Sequence, residues 1–319
     1  MSSSRVLRIG TRGSALALWQ AHHVEALIGS QPGAPTVELV RIKTEGDVRT
    51  DVPLWQIGGR AFFTKEIDKA LLGNEIDIAV HSLKDLSTVL DPGIELAAAL
   101  EREDPRDAVL SRSGARLMDL PKGARVGTSS LRRRAFIARL RPDIELLELR
   151  GNVPTRIERM KNGDYDAIIL AAAGLRRLEL DHHISELLPV DEFPPAVSQG
   201  AIGVCMRTGD SDAEQWLKKL DNRASRLATT AERALLRRLE GGCQVPLGAI
   251  GSLDGETLRL QAVVCSLDGK KNIQAKSQLA ASLENATTLG QKVADDLLSQ
   301  GAASLMANER TARSLATGG

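Results

Sequence analysis

Aromatic residues are scarce: four Phe, three Trp and one Tyr in 319 residues. A core must therefore rest on Leu, Ile, Val and Ala, and a surface that stacks successive nucleobases is disfavoured. Cysteine is scarcer still. Cys205, Cys243 and Cys265 are widely spaced, odd in number and contain no CxxC pair, so neither a zinc site nor a disulfide framework is expected. The adjacent pairs His22-His23 and His182-His183 do not converge on one metal from a helix, and no metal is expected. No apolar run approaches the roughly 18 residues that span a bilayer. The opening MSSSRVLRIG lacks the apolar core of a signal peptide. A cytoplasmic location without membrane contact is the expectation. A formal net charge of +1 argues against a polyelectrolyte binder of nucleic acid.

Charge is balanced overall but not locally. Residues 112–177 hold thirteen Arg and two Lys against seven acidic residues. Arginine offers a planar fork that grips carboxylate or phosphate in bidentate fashion. The excess fits either a dedicated anion site or a solvated basic face with helix-surface ion pairs.

Strand-like and helix-like segments alternate from Val6 to about Leu100, and again from Arg125 to Ala173. Such alternation predicts an α/β architecture with mostly parallel sheets covered on both faces. The run Ala201 to Met206 reads as a further strand. After the long helical run Ala224 to Glu240, the tail has one clear strand, Thr257 to Ser266, and a last helix, Leu283 to Leu298. It reads as a small α+β unit. The expected domains are 1–100 with 201–218, then 106–195, which is Arg-rich, and then 223–319.

Ligands of open α/β sheets bind beyond the carboxyl ends of strands. Four strand-end loops carry polar groups there: Thr11-Arg12-Gly13-Ser14, His81-Ser82-Leu83-Lys84-Asp85, Gly127-Thr128-Ser129-Ser130 and Arg150-Gly151-Asn152. The third opens a helix, where free N–H groups attract anions, and Arg132, Arg133 and Arg134 follow at once. Successive helical residues point about 100° apart, so at most two of these three can face one ligand. Together the four loops favour a polyanionic ligand. Asp85, beside Lys84, fits an ion-pair partner, a proton handler or a stabiliser of a developing cation.

Glu240-Gly241-Gly242-Cys243-Gln244-Val245-Pro246 places a thiol in a glycine-flanked loop after a helix, with Pro246 barring the helix from resuming. Cys243 reads as a presented thiol, against the alternative of a small buried hydrophobe.

The strings TRGSALALWQ, HSLKD, EREDPRDA, GTSSLRRR, LRGNVPTR, YDAIILAAAGL, QGAIG and AER…LEGGCQVP, in this order and spacing, resemble the porphobilinogen deaminase (hydroxymethylbilane synthase) family from about Leu7 to Gly251. The resemblance implies two lobes like those of periplasmic solute-binding proteins, plus the small C-terminal α+β domain. It also implies a cytoplasmic, monomeric transferase of heme biosynthesis. Four porphobilinogen units are joined head to tail with loss of ammonia, then released by water as hydroxymethylbilane. The implied cofactor is a dipyrromethane held by a thioether to Cys243. Asp85 and Lys84 match the catalytic positions. Ser82, Lys84, Asp85, Thr128, Ser129, Ser130, Arg132, Arg133 and Arg156 match cofactor-contacting positions. Arg12, Ser14, Arg150, Arg156, Arg177 and Gln199 match substrate-binding ones. Gly58-Gly59 matches a mobile stretch, and Phe63 a cofactor-packing ring. Ser87 departs from the family's usual proline, Ser198 and Ala61 from glycines, and Cys205 from a glutamate; Cys205 is expected buried and inert. A non-catalytic anion-binding protein shares the lobed fold but has no need of a presented thiol. A nucleic-acid regulator needs a recognition helix, and none is evident.

Overall fold

The computed structural model describes residues 6–48, 64–240 and 246–306. The chain begins β1 (Val6–Thr11), α1 (Ala15–Gly29), β2 (Thr36–Arg41), α2 (Glu45–Val48), α3 (Lys65–Leu72), β3 (Ile78–Ser82) and β4 (Ile94–Ala99). It continues β5 (Asp107–Ser111), β6 (Arg125–Gly127), α4 (Leu131–Leu140), β7 (Glu145–Leu147), α5 (Val153–Lys161), β8 (Ala167–Ala171), α6 (Ala172–Arg177) and β9 (Glu186–Leu187). Then follow β10 (Ile202–Arg207), α7 (Ser211–Leu217), α8 (Arg223–Glu240), β11 (Leu247–Asp254), β12 (Thr257–Cys265), β13 (Asn272–Ala280) and α9 (Leu283–Ser299).

These strands form three sheets. The first has the order β2-β1-β3-β10-β4, the second β7-β6-β8-β5-β9, and the third β11-β12-β13. The first two are the centres of two lobes, each with apolar clusters on both faces. Buried strands such as Ala167-Ile168-Ile169-Leu170 are continuously apolar for that reason.

The expectation of mostly parallel sheets holds with one exception in each lobe, where four strands run the same way and one is reversed. In the first sheet β1 pairs in parallel with β2 and β3, but β10 pairs antiparallel with β3 and β4. The second repeats the scheme: β6 is parallel to β7 and β8, while β5 is antiparallel to β8 and β9. The antiparallel members β5 and β10 are the strands that enter each lobe from the other one. A strand arriving across the molecule has no crossover helix to turn it parallel.

The tail also differs from its reading. Its described residues hold three antiparallel strands rather than the one expected. β11 is rich in glycine and alanine, and β13 alternates half-buried and exposed side chains, so neither shows a strongly apolar run. α8 and α9 cover the sheet, and their axes approach closely at Gly290, where a Cβ would stand 2.3 Å from the Ala231 carbonyl oxygen.

Two connections cross between the lobes, 100–106 and 195–201. They touch where the Glu103 N–H donates to Gly200 O at 3.1 Å. Gly200 has φ +91°, and a Cβ there would meet Glu103 O at 2.3 Å, so only glycine fits. Glu232 of α8, fully buried, ties this crossing to the third sheet. It accepts from Arg102 Nη1 (2.6 Å) and Nη2 (3.2 Å), from Ser198 N (2.6 Å) and from Gly251 N (2.7 Å).

Candidate functional site between the lobes

Helix N-termini deliver the strand-end loops to the cleft. Ser14, Ser130 and Asn152 cap α1, α4 and α5, accepting from the N–H groups of Ala17, Arg133 and Thr155. Thr128 is buried, and its Oγ1 accepts from Ser130 N at 3.2 Å. Ser129 Oγ donates to Leu149 O at 2.5 Å, which joins the loop after β6 to the loop holding Arg150.

Asp107, at the start of β5, is the electrostatic centre. Its fully buried carboxylate accepts from Arg132 Nη2 (2.6 Å), from Arg133 Nε (3.0 Å) and Nη2 (2.6 Å), and from Gln199 Nε2 (3.0 Å). Burial alone would push this carboxyl up, but the two guanidiniums outweigh it and hold it at about 2. Arg132 turns inward, with Nη1 on Pro194 O at 2.7 Å and its guanidinium 5.7 Å from the centre of the Phe193 ring. Arg133 also reaches Ile169 O at 2.9 Å. Arg134 points elsewhere, to Leu146 O at 3.3 Å. Two of the three consecutive arginines thus converge.

Lys84 and Asp85 lie on a single 3-10 turn, Leu83–Asp85, directly after β3. Lys84 Nζ donates to Gln199 Oε1 at 3.4 Å. Protein surrounds this ammonium and pushes it down to about 8, although the side chain still reaches solvent, which moderates the shift. Asp85 is exposed, and its charge acts on both Lys84 and Arg156. Ser82 exchanges hydrogen bonds with Gln20 of α1, at 2.9 Å and 3.2 Å.

Ser82, Lys84, Arg133, Arg156 and Arg177 line one cleft with Leu16, Val153 and Gly200. Arg156 Nε donates to Gly151 O at 2.6 Å, and burial pushes its guanidinium down to about 10. Arg177 behaves alike: Nη2 reaches Gly200 O at 2.6 Å, its guanidinium lies 5.7 Å from the Trp19 ring centre, and burial pushes it down to about 10. Arg12 and Arg150 are half-buried at the ends of their loops. Cys243, Gly58, Gly59, Ala61 and Phe63 lie outside the described residues. Cys205 is fully buried, and burial pushes its thiol up to about 12.

The sequence reading gave no role to Asp107, Gln20 or Glu232. Asp107 had a signal: an acidic residue opening the buried strand Asp107–Ser111 needs a cation, and the nearby arginine excess provides one.

The lobed α/β frame gathers the cationic side chains of Lys84, Arg133, Arg156 and Arg177 into one cleft. A family model described as porphobilinogen deaminase, dipyromethane cofactor binding domain, matches residues 7–215, and its C-terminal domain matches residues 226–299. The porphobilinogen deaminase of Syntrophomonas wolfei subsp. wolfei is 48% identical over 306 residues, covering 96% of this chain and 99% of that protein. That of Geobacter metallireducens is 48% identical over 301 residues, covering 94% of each. The chain belongs to the porphobilinogen deaminase family. Among solved structures, the methionine binding protein MetQ overlaps 67% of this chain and 89% of its own, at 12% identity and a TM-score of 0.44.

Proposed function

We propose that this chain is the transferase that condenses four porphobilinogen molecules head to tail and releases hydroxymethylbilane. The observation that carries the reading is the set of cations in one cleft, Lys84, Arg133, Arg156 and Arg177, beside the exposed carboxylate of Asp85. Each porphobilinogen brings an acetate and a propionate, and each carboxylate would cost several kcal/mol to desolvate unpaired. The cations fit that need, and they equally fit the carboxylates of a dipyrromethane. When bound, that cofactor supplies the primer on which the chain grows.

Cys243 is the proposed attachment point, through a thioether. Ser82, Thr128, Ser129, Ser130, Arg133 and Arg156 hold cofactor carboxylates, with Arg132 supporting them from behind. Arg12, Ser14, Arg150, Arg156 and Arg177 hold the incoming substrate, while Gln199, buried and bonded to both Asp107 and Lys84, orients Lys84 from behind. In each step the aminomethyl C–N bond breaks, and ammonia leaves with the electron pair. The new C–C bond would form from the substrate methylene to the free α-carbon of the chain end held in the cleft, with loss of the proton on that carbon. Asp85 stabilises the cation left by ammonia and accepts the pyrrole N–H, while Lys84 holds a carboxylate nearby. Water ends the chain after the fourth addition.

We further read the three sheets as three domains, 1–100 with 201–218, 106–195 and 223–319, in a monomeric cytoplasmic protein. Among the described residues no helix is long and apolar enough to cross a membrane. Asp85→Asn tests the assignment. Porphobilinogen consumption should fall by at least about 10²–10³-fold with the circular dichroism unchanged. Near-normal turnover would overturn it.

A further inference from the structure

Helix α8 leads straight into the segment that carries Cys243. Three of its arginines, Arg226, Arg233 and Arg237, are spaced by seven and four residues and so share one helical face. All three donate into main-chain carbonyls of the first lobe. Arg226 reaches Leu96 O at 3.0 Å and Ala97 O at 2.7 Å. Arg233 reaches Leu86 O at 3.0 Å and Ser87 O at 2.5 Å. Arg237 reaches Thr88 O. The acceptors of Arg233 and Arg237 are the three residues that directly follow Asp85.

The turn bearing Asp85 has little support of its own. It spans three residues, closed by Leu86 N–H on Leu83 O at 3.3 Å. Its start is fixed to the sheet by Leu83 N–H on Ala201 O at 3.0 Å. Its far end is fixed by Arg233 and Arg237. Arg233 is only 7% exposed, and burial pushes its guanidinium down to about 10, so it remains charged at neutral pH. An apolar residue could dock α8 without that desolvation. What the guanidinium adds is fixed geometry, two charge-assisted bonds aimed at consecutive carbonyls.

We propose that Arg233, aided by Arg237, is a positioning residue for Asp85, so that the helix preceding Cys243 in sequence also sets the catalytic carboxylate. The proposal rests on the roles given to Asp85 and Cys243 above. It links the turn that bears the reacting carboxylate to the helix that the cofactor anchor follows in sequence. A misplacement of 1 Å in such a constellation costs about 10²-fold in rate.

The test uses the full-length, cofactor-loaded chain, with loading measured by intact mass. Arg233→Met should lower kcat by about 10–100-fold with KM and cofactor content unchanged. Arg233→Lys should recover part of the loss. Arg237→Gln, at an exposed position, should lose about two- to fivefold. In an Asp85→Asn background, single-turnover rates should show no further loss from either substitution. Unchanged kcat in both variants, or the same loss with and without Asp85, would overturn the proposal. If Arg233→Met does not fold, the Arg237→Gln and Asp85→Asn cycle decides alone. Failure of the underlying function looks different: the unsubstituted chain would not consume porphobilinogen, or Asp85→Asn would stay active.

Discussion

One oxygen of Asp107, Oδ1, accepts from both Nε and Nη2 of Arg133, at 3.0 Å and 2.6 Å. Oδ2 takes Arg132, so a single fully buried carboxylate orients two adjacent guanidiniums. Removing its charge leaves both cations uncompensated. Asp107→Asn should destabilise the protein by about 3–5 kcal/mol, read from denaturant unfolding. The pH dependence has a definite sign. The folded carboxyl sits at about 2, below its ordinary 3.8, so its stabilisation is complete above pH 4 and is lost as pH falls toward 2. That acid-side loss should be absent from Asp107→Asn. Unchanged stability in the variant would show that the arginines are held by other groups.

The role proposed for Lys84 predicts an alkaline limit on activity. Its ammonium, pushed down to about 8, is lost from the free enzyme as pH passes that value. kcat/KM should therefore fall above about pH 8, while bound carboxylates restore the charge and carry the limb of kcat higher. Lys84→Arg keeps its charge and should move the limb of kcat/KM upward. An unmoved limb in that variant would assign the titration to another group.

Ser198 occupies a backbone position that favours glycine. Its φ is +62°, and its buried Oγ has no hydrogen-bond partner among the described residues. The left-handed conformation costs a side-chain-bearing residue about 1–2 kcal/mol, partly offset in glycine by chain entropy. Ser198→Gly keeps the N–H bond to Glu232 and should stabilise by about 1 kcal/mol, raising Tm by a few degrees. A lower Tm would mean that the hydroxyl has a role the geometry hides.

Elements with strong local signals were legible in the sequence. α4 begins directly after the Gly127-Thr128-Ser129-Ser130 loop, where the sequence placed a helix start, with Ser130 as its cap. The strand-end loops also emerged, because polar and glycine residues interrupt the chain after β1, β3, β6 and β7; three of the four lead into helices capped by Ser14, Ser130 and Asn152. Strand direction did not, since β5 and β10 run antiparallel only through pairing with strands far away in sequence. β13 was hidden because its alternating half-exposed pattern resembles a polar loop. At the site, residue types were readable but orientation was not. Nothing local makes Arg132 face inward; that follows from Asp107, 25 positions earlier.

Cys243 is proposed to anchor a cofactor of two linked pyrroles whose carboxylates the arginines of the cleft bind. Intact-mass spectrometry of the purified chain tests it most directly. The spectrum should show an added mass of two linked pyrroles, absent from Cys243→Ser, with activity lost along with it. An unmodified chain that still converts porphobilinogen would contradict it.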